Sequence, residues 1–91
     1  MTYTIIPINQ PGSSRTGTLK NLTKADIVRV LGFEPNVDDD PDKVVSSWGF
    51  QIGEGEFGIW DYKGSHHFKT WSTCGSHELF KQLFGDNYHN P

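Results

Sequence analysis

The residues with the widest chemical repertoire lie in one short stretch, Trp60-Asp61-Tyr62-Lys63-Gly64-Ser65-His66-His67. An indole and a phenol can stack on a base, and an aspartate can accept hydrogen bonds from sugar hydroxyls. A lysine, a serine, an imidazole and the amides of a glycine turn are groups that hold phosphate. The stretch therefore predicts a nucleotide-binding site formed by Trp60, Asp61, Tyr62, Lys63, Ser65 and His66.

Two residues outside this stretch are predicted to complete the site. Trp71 lies on the next predicted strand and is expected to enclose the base with Trp60 and Tyr62. Arg15 lies in a loop rich in glycine and serine and offers a second phosphate contact. A structural alternative stays open, in which the stretch is a plain hairpin turn, Asp61 pairs with a lysine, and Trp71 fills the core.

The sequence supports metal binding and catalysis less well than it supports nucleotide binding. Cys74 and His77 have a Cys-x-x-His spacing, and a histidine from the 66–67 pair could join them in a zinc site. Cys74 with His66 or His77 could also form a nucleophile and base, but no sequence feature indicates an oxyanion hole. The acidic residues within 38–42 lack the glycine turn and terminal glutamate of a calcium loop. We therefore predict a non-enzymatic protein without metal or cofactor.

The composition of the chain indicates its size class and the partners that it disfavours. The chain has 91 residues, of which 34% are hydrophobic, with a net charge of −3. These values predict one small domain of modest stability, which is compatible with a homo-oligomer. Eight dispersed basic residues disfavour binding to duplex nucleic acid. A single cysteine, Cys74, the absence of a long apolar run and the lack of a signal-peptide pattern predict a cytoplasmic protein without membrane spans.

Local sequence patterns predict the helices and strands that carry the candidate site residues. Residues 2–8 read as a strand and residues 9–22 as a loop. Thr23 is a favourable N-cap, Asp26 completes a capping box, and Gly32 is placed for a left-handed C-cap, which predicts a helix over 23–32. From residue 44 the pattern alternates with period two as far as residue 74, with reversals at 53–55 and 63–65, which predicts a three-stranded antiparallel meander.

A second helix is predicted over 76–85, beginning at Ser76 and ending at Gly85, followed by a frayed tail over 86–91. The predicted order is β-α-β-β-β-α, a single α+β domain in which two helices pack against the meander and the N-terminal strand. Alternation assigns Phe57, Ile59, Phe68 and Cys74 to the core and assigns Trp60, Tyr62, Lys69 and Trp71 to the opposite face. Alternation is fixed within a strand but not between strands, so an exchange of the two sets between the faces stays open. The aromatic density from Ser46 to Trp71 exceeds what a small core requires, which favours an exposed binding face. In the alternative arrangement, one helix covers each face of the sheet.

Several segments resemble small uncharacterised proteins of tailed bacteriophages and prophages. The likeness runs from the first helix to the last and is carried by these segments: Leu31-Gly32-Phe33-Glu34-Pro35-Asn36-Val37, Asp40-Pro41-Asp42-Lys43-Val44, Ser47-Trp48-Gly49-Phe50, Gly58-Ile59-Trp60-Asp61-Tyr62-Lys63-Gly64-Ser65, Trp71-Ser72-Thr73 and Leu83-Phe84-Gly85. This chain adds His66-His67-Phe68-Lys69 where a shorter connection is expected. The resemblance implies a phage context and no catalytic residues.

In that context three functions are expected. The first is counter-defence by sequestration of a small nucleotide-derived immune signal, which the mixed aromatic and phosphate-binding side chains favour. The second is stoichiometric inhibition of a host defence protein, of the anti-CRISPR kind, with the acidic residues of 38–42 facing a basic channel. The third is a small phosphodiesterase that acts on the same signals through Cys74 or His66.

Overall fold

The chain forms an α+β domain in which two helices pack on a six-stranded antiparallel sheet, which confirms the predicted class. The structure, a computed structural model, describes residues 4–8, 15–37, 44–62 and 68–89. Its elements are β1 (Ile6–Pro7), β2 (Gly17–Leu19), α1 (Lys24–Leu31), β3 (Val44–Ile52), β4 (Gly55–Tyr62), β5 (Trp71–Cys74), α2 (His77–Phe84), a 3-10 turn (Gly85–Asn87) and β6 (Tyr88–His89). The strand order across the sheet is β1-β3-β4-β5-β2-β6.

Helix α1 begins and ends where its capping residues predict. The Thr23 hydroxyl accepts the N–H of Asp26, and the Asp26 carboxylate accepts the N–H of Thr23 in return. At the other end Gly32 adopts a φ of 92° and donates its N–H to the carbonyl of Val28. A residue with a Cβ would be strained at that φ, so the glycine ends the helix.

The meander is present, but its last strand is shorter than predicted. β3 and β4 form a hairpin around Gly53, whose φ of 60° suits a tight reversal. β5 begins only at Trp71, and Phe68, predicted to be a core residue, is 81% exposed. Lys69 has a positive φ of 57°, which breaks the extended backbone before Trp71 and explains the error. The predicted reversal at 63–65 and the acidic residues of 38–42 lie outside the described residues.

Two strands occur where the sequence predicts none. β2 lies inside the predicted loop over 9–22, and β6 lies inside the predicted frayed tail. They pair with each other, Thr18 opposite His89 and Leu19 opposite Tyr88, and β2 also pairs with β5. Each is only two or three residues long, too short for an alternating pattern to be recognised, and each is stabilised by its neighbours in the sheet. Of the predicted strand over 2–8, the described part forms a strand only at Ile6–Pro7, and the N–H of Ile8 also donates to the carbonyl of Gly49 on β3.

Both helices pack on the same face of the sheet, so the arrangement with one helix on each face is not adopted. Cross-strand pairs place Trp48 opposite Ile59 and Phe50 opposite Phe57 on this face. Phe80 of α2 contacts both phenylalanines edge to face. The buried cluster consists of Leu19, Leu22, Ile27, Leu31, Trp48, Phe50, Phe57, Ile59, Trp71, Phe80, Phe84 and Tyr88.

Two buried indoles hold the two ends of α1. Trp71 donates its Nε1–H to the carbonyl of Leu22, just before the helix, at 2.9 Å. Trp48 donates its Nε1–H to the carbonyl of Phe33, just after the helix, at 3.0 Å. Their ring centroids lie 5.4 Å apart in an edge-to-face arrangement. The tryptophans thus fix both the position and the ends of the helix.

The Asn36 side chain joins β1 to β3 where direct pairing between the strands ends. Its Nδ2 donates to the carbonyls of Ile8 and Gly49, at 2.9 and 3.0 Å, and its Oδ1 accepts the N–H of Gly49. An amide side chain carries the same donor and acceptor groups as a peptide unit, so Asn36 continues the ladder. Neither helix of the described chain is long and apolar enough to cross a membrane.

Candidate functional site

Trp60 is buried on the face of the sheet opposite the helices. Its neighbours across the sheet are Ser47 on β3 and Ser72 on β5. Only 8% of its surface is exposed, although it lies outside the main buried cluster. Ser47 and Ser72 are buried as well. The indole therefore has no open face on which a base could stack in this conformation.

Asp61 stabilises the backbone of the neighbouring strand. It is fully buried, and its Oδ1 accepts the N–H of Ser46 at 2.7 Å. This bond lies where the pairing of β3 with β4 shifts between Val44 and Ser47. A carboxylate that accepts a backbone N–H at a register shift supplies the acceptor that the strand partner does not. The observed contact of Asp61 is thus structural, and it differs from the predicted contact with a ligand.

Trp71 lies in the core, and its predicted place on an exposed face with Trp60 is wrong. Thr73 pairs with Ile59, so Thr73 and Trp71 face the helices, whereas Trp60 pairs with Ser72 and faces away. Trp71 is 1% exposed. The alternation within β5 is as predicted, but the register between β4 and β5 puts Trp71 on the core face and Cys74 on the opposite face, the reverse of the prediction. The two indoles cannot enclose one ligand.

Only some of the remaining predicted site residues belong to the described part of the chain. Tyr62 ends β4, but its side chain and the residues Lys63, Ser65 and His66 lie outside the described part of the chain. Arg15 is exposed. The hydroxyl of its neighbour Thr16 accepts the N–H of Gly75 at 3.0 Å, so the backbone at Arg15 lies beside the segment that leads into α2.

A cleft is present at the other end of the sheet, where α2 meets β6. It has a volume of about 470 Å³ and is lined by His77, Glu78, Lys81, Tyr88 and His89. Strands β5 and β2 separate β6 from Trp60 on β4. Small-molecule sites in proteins are usually about 300–1,000 Å³. The cleft therefore has the size of a ligand site and three side chains that carry or can gain positive charge.

The floor of the cleft is a fixed phenol. Tyr88 is 7% exposed, and its ring stacks on Phe80 with centroids 5.6 Å apart and planes at 12°. Its hydroxyl forms a hydrogen bond with Nδ1 of His77. Gly17 lies directly beneath, and a Cβ there would overlap the Tyr88 hydroxyl. The glycine thus lets the phenol lie close to β2, where it can reach the histidine.

Burial raises the pKa of the Tyr88 hydroxyl above its usual value, so the phenol stays protonated at neutral pH. The nearby Thr73 hydroxyl lowers this pKa by a smaller amount, although the two hydroxyls do not meet hydrogen-bond geometry. A protonated phenol that is fixed by packing orients the imidazole bound to it. The cleft therefore offers an oriented His77 ring beside Lys81, with Glu78 as an acceptor.

Sequence reasoning did not identify this cleft. The sequence pairs His77 only with Cys74, and it predicts a frayed tail for Tyr88 and His89. One useful signal was present, because His77 and Lys81 are four residues apart on the predicted helix and so share a face. The pairing of β6 with β2, which brings Tyr88 under that helix, has no recognisable sequence signal.

No three His, Cys, Asp or Glu side chains of the described residues are close enough to hold a metal ion. Comparison with protein-family models, with curated proteins and with solved structures gives no significant match.

Proposed function

We propose that this domain is a non-enzymatic phage counter-defence protein that binds and sequesters a small nucleotide-derived immune signal in the cytoplasm of the infected cell. The phage context comes from the resemblance of the chain to small phage proteins. The observation that carries the binding proposal is the cleft between α2 and β6, about 470 Å³ in volume, with Lys81 and two imidazoles in its lining. We place the ligand there, and not against Trp60 and Trp71, because both indoles are buried.

The lining suits a nucleotide in its charge and in its hydrogen-bonding groups. Lys81 and His77 supply donors for phosphate oxygens, and Glu78 supplies an acceptor for a sugar or base donor. The ring of Tyr88 is too buried to stack on a base, and its contribution to the cleft is to hold His77 through its hydroxyl. Two or three local cations are sufficient to hold one small anion although the whole chain has a net charge of −3. Because sequestration requires affinity alone, the proposal includes no chemical step.

Calorimetry with the purified protein tests the proposal. The ligand panel contains cyclic dinucleotides, cyclic ADP-ribose isomers and AMP, with adenosine as the uncharged reference. We expect at least one nucleotide to bind and Lys81→Gln to weaken it about tenfold, as expected for loss of a hydrogen bond to a charged group. Lys24→Gln is the matched control, since Lys24 is an exposed helical lysine that does not line this cleft. The proposal fails if no nucleotide binds at high micromolar concentration, or if the two variants behave alike.

An exposed aromatic residue favours the second candidate function, inhibition of a host defence protein. Phe68 is 81% exposed, and its carbonyl accepts a hydrogen bond from the Thr70 hydroxyl at 3.2 Å. The carbonyl of the next residue, Lys69, accepts a hydrogen bond from the N–H of Leu22 at 3.2 Å. An aromatic side chain on a backbone fixed in this way can act as an interface anchor.

Phage plating on hosts that carry either CRISPR or nucleotide-signalling defences separates the two candidates. Loss of protection with Phe68→Ala, together with full protection by Lys81→Gln, would favour protein inhibition. The reverse pattern would favour sequestration.

A further inference from the structure

The hydrogen bond between Tyr88 and His77 determines what the cleft presents to a ligand. We infer that Tyr88 holds His77 with a proton on Nε2, so that His77 and Lys81 act together as a donor pair for a phosphate group of the ligand. This inference deepens the proposed function and rests on it. It identifies the part of the ligand that is recognised and assigns Tyr88 as a positioning residue.

The direction of the hydrogen bond follows from the protonation of the phenol. Burial keeps Tyr88 protonated, so its hydroxyl carries a proton that needs an acceptor. Nδ1 of His77 is hydrogen-bonded to this hydroxyl, whereas the Thr73 hydroxyl does not meet hydrogen-bond geometry. If Nδ1 carried the proton of a neutral ring, the phenol proton would lose its acceptor. The neutral imidazole therefore accepts on Nδ1 and carries its own proton on Nε2.

Protonation of the ring adds a positive charge but leaves Nε2 a hydrogen-bond donor. In the imidazolium both nitrogens carry a proton, so Nε2 is a donor in the neutral and in the charged form. Nδ1 is occupied by Tyr88, which leaves Nε2 as the ring nitrogen that can contact a ligand. Lys81, one turn further along α2, is a donor without acceptor capacity. Both groups thus require acceptor oxygens, and a phosphate group supplies at least two.

The titratable and charged neighbours of His77 come from two elements. On α2 these are Glu78 and Lys81, and on β6 they are Tyr88 and His89. Glu78 is the acidic residue of this lining, and its carboxylate would repel a phosphate placed against it. A nucleotide satisfies both requirements when its phosphate lies toward Lys81 and its hydroxyls lie toward Glu78. A bare nucleoside offers the donor pair only neutral acceptors, which form weaker hydrogen bonds than phosphate oxygens do.

Two measurements test the inference. Nitrogen-detected NMR of histidine-labelled protein at pH 8 reports which ring nitrogen carries the proton, with the exposed His89 as an internal reference. We expect His77 to be the Nε2–H form and Tyr88→Phe to abolish the bias between the two nitrogens. Tyr88→Phe keeps the ring that stacks on Phe80, so the fold is preserved, which amide NMR spectra will check.

Calorimetry supplies the second readout. We expect Tyr88→Phe to weaken nucleotide binding about threefold to tenfold, as for loss of one well-oriented hydrogen bond. His77→Gln, which keeps a donor near the Nε2 position, should bind more tightly than His77→Ala, and adenosine should not bind. An Nδ1–H tautomer, equal binding of adenosine and AMP, or unchanged affinity in Tyr88→Phe would each overturn the inference while a nucleotide still binds. Absence of all nucleotide binding would overturn the proposed function as well.

Discussion

The substitution Trp71→Phe should destabilise the domain more than its conservative chemistry suggests. Phenylalanine keeps an aromatic ring against Trp48 but removes the Nε1–H that donates to the carbonyl of Leu22 at 2.9 Å. Because this bond is buried, withdrawing the donor costs about 1–3 kcal/mol. The smaller ring buries several tens of Å² less, which adds about 1 kcal/mol at roughly 25 cal/mol per Å². The expected loss is therefore about 2–4 kcal/mol.

A loss of this size is large for a chain of 91 residues. At about 0.05–0.15 kcal/mol per residue, the whole domain has a stability of roughly 5–14 kcal/mol. Urea denaturation followed by far-ultraviolet circular dichroism measures the loss without relying on tryptophan fluorescence. The melting temperature should fall by roughly 10–25 °C. Hydrogen exchange should show faster opening at Ile27, whose N–H bonds to Thr23 in the first turn of α1.

Two matched substitutions separate the hydrogen bond from the loss of ring size. Trp48→Phe removes the bond to the Phe33 carbonyl, which is only partly buried, and should cost about 1–3 kcal/mol. Trp60→Phe removes no hydrogen bond to another described residue and should cost about 1 kcal/mol, from area alone. If Trp71→Phe costs no more than Trp60→Phe, the argument that the indole holds the start of α1 is refuted.

Three further predictions concern local contacts. Asn36→Asp should destabilise more than Asn36→Ala, which should cost about 1–3 kcal/mol in urea denaturation, because a carboxylate cannot donate to the carbonyls of Ile8 and Gly49. The pKa of Asp26 is lowered chiefly by the backbone N–H of Thr23. Its stabilising contribution is present above the usual carboxyl pKa and is lost as pH falls through the lowered value, so Asp26→Asn should flatten the acid limb of a stability–pH curve. The pKa of Tyr88 is raised, so its contribution is present below pH 10 and lost as pH rises through the raised value, and alkaline destabilisation should diminish in Tyr88→Phe.

The elements that the sequence predicted correctly are those with complete local chemistry. Helix α1 has both caps within ten residues, and its observed bounds, Lys24–Leu31, lie directly between Thr23 and Gly32. Helix α2 likewise begins after Ser76, whose hydroxyl accepts the N–H of Leu79. Capping depends on residues three or four positions apart, so no tertiary information is needed.

The elements that were missed depend on distant partners. β2 and β6 are far apart in the sequence yet pair through Thr18 and His89. Lys20 and Asn87 extend this pairing, since the Lys20 N–H donates to the Asn87 carbonyl and the Asn87 side chain donates to the Lys20 carbonyl. Such contacts leave no periodic pattern in either segment. The cleft was missed for the same reason, because Tyr88 reaches His77 only after β6 has joined the sheet.

The aromatic density that suggested a binding face has another cause in this domain. Only 34% of the residues are hydrophobic, so large rings must supply most of the buried apolar surface. Seven of them do so in the main buried cluster, namely Trp48, Phe50, Phe57, Trp71, Phe80, Phe84 and Tyr88. A buried ring cannot contact a ligand, but a polar atom on the ring can reach a side chain at the surface. The Tyr88 hydroxyl does so, because it is hydrogen-bonded to the exposed His77. In this domain the density of rings reflects the core, and the contact of Tyr88 with His77 is the feature on which the proposed binding site rests.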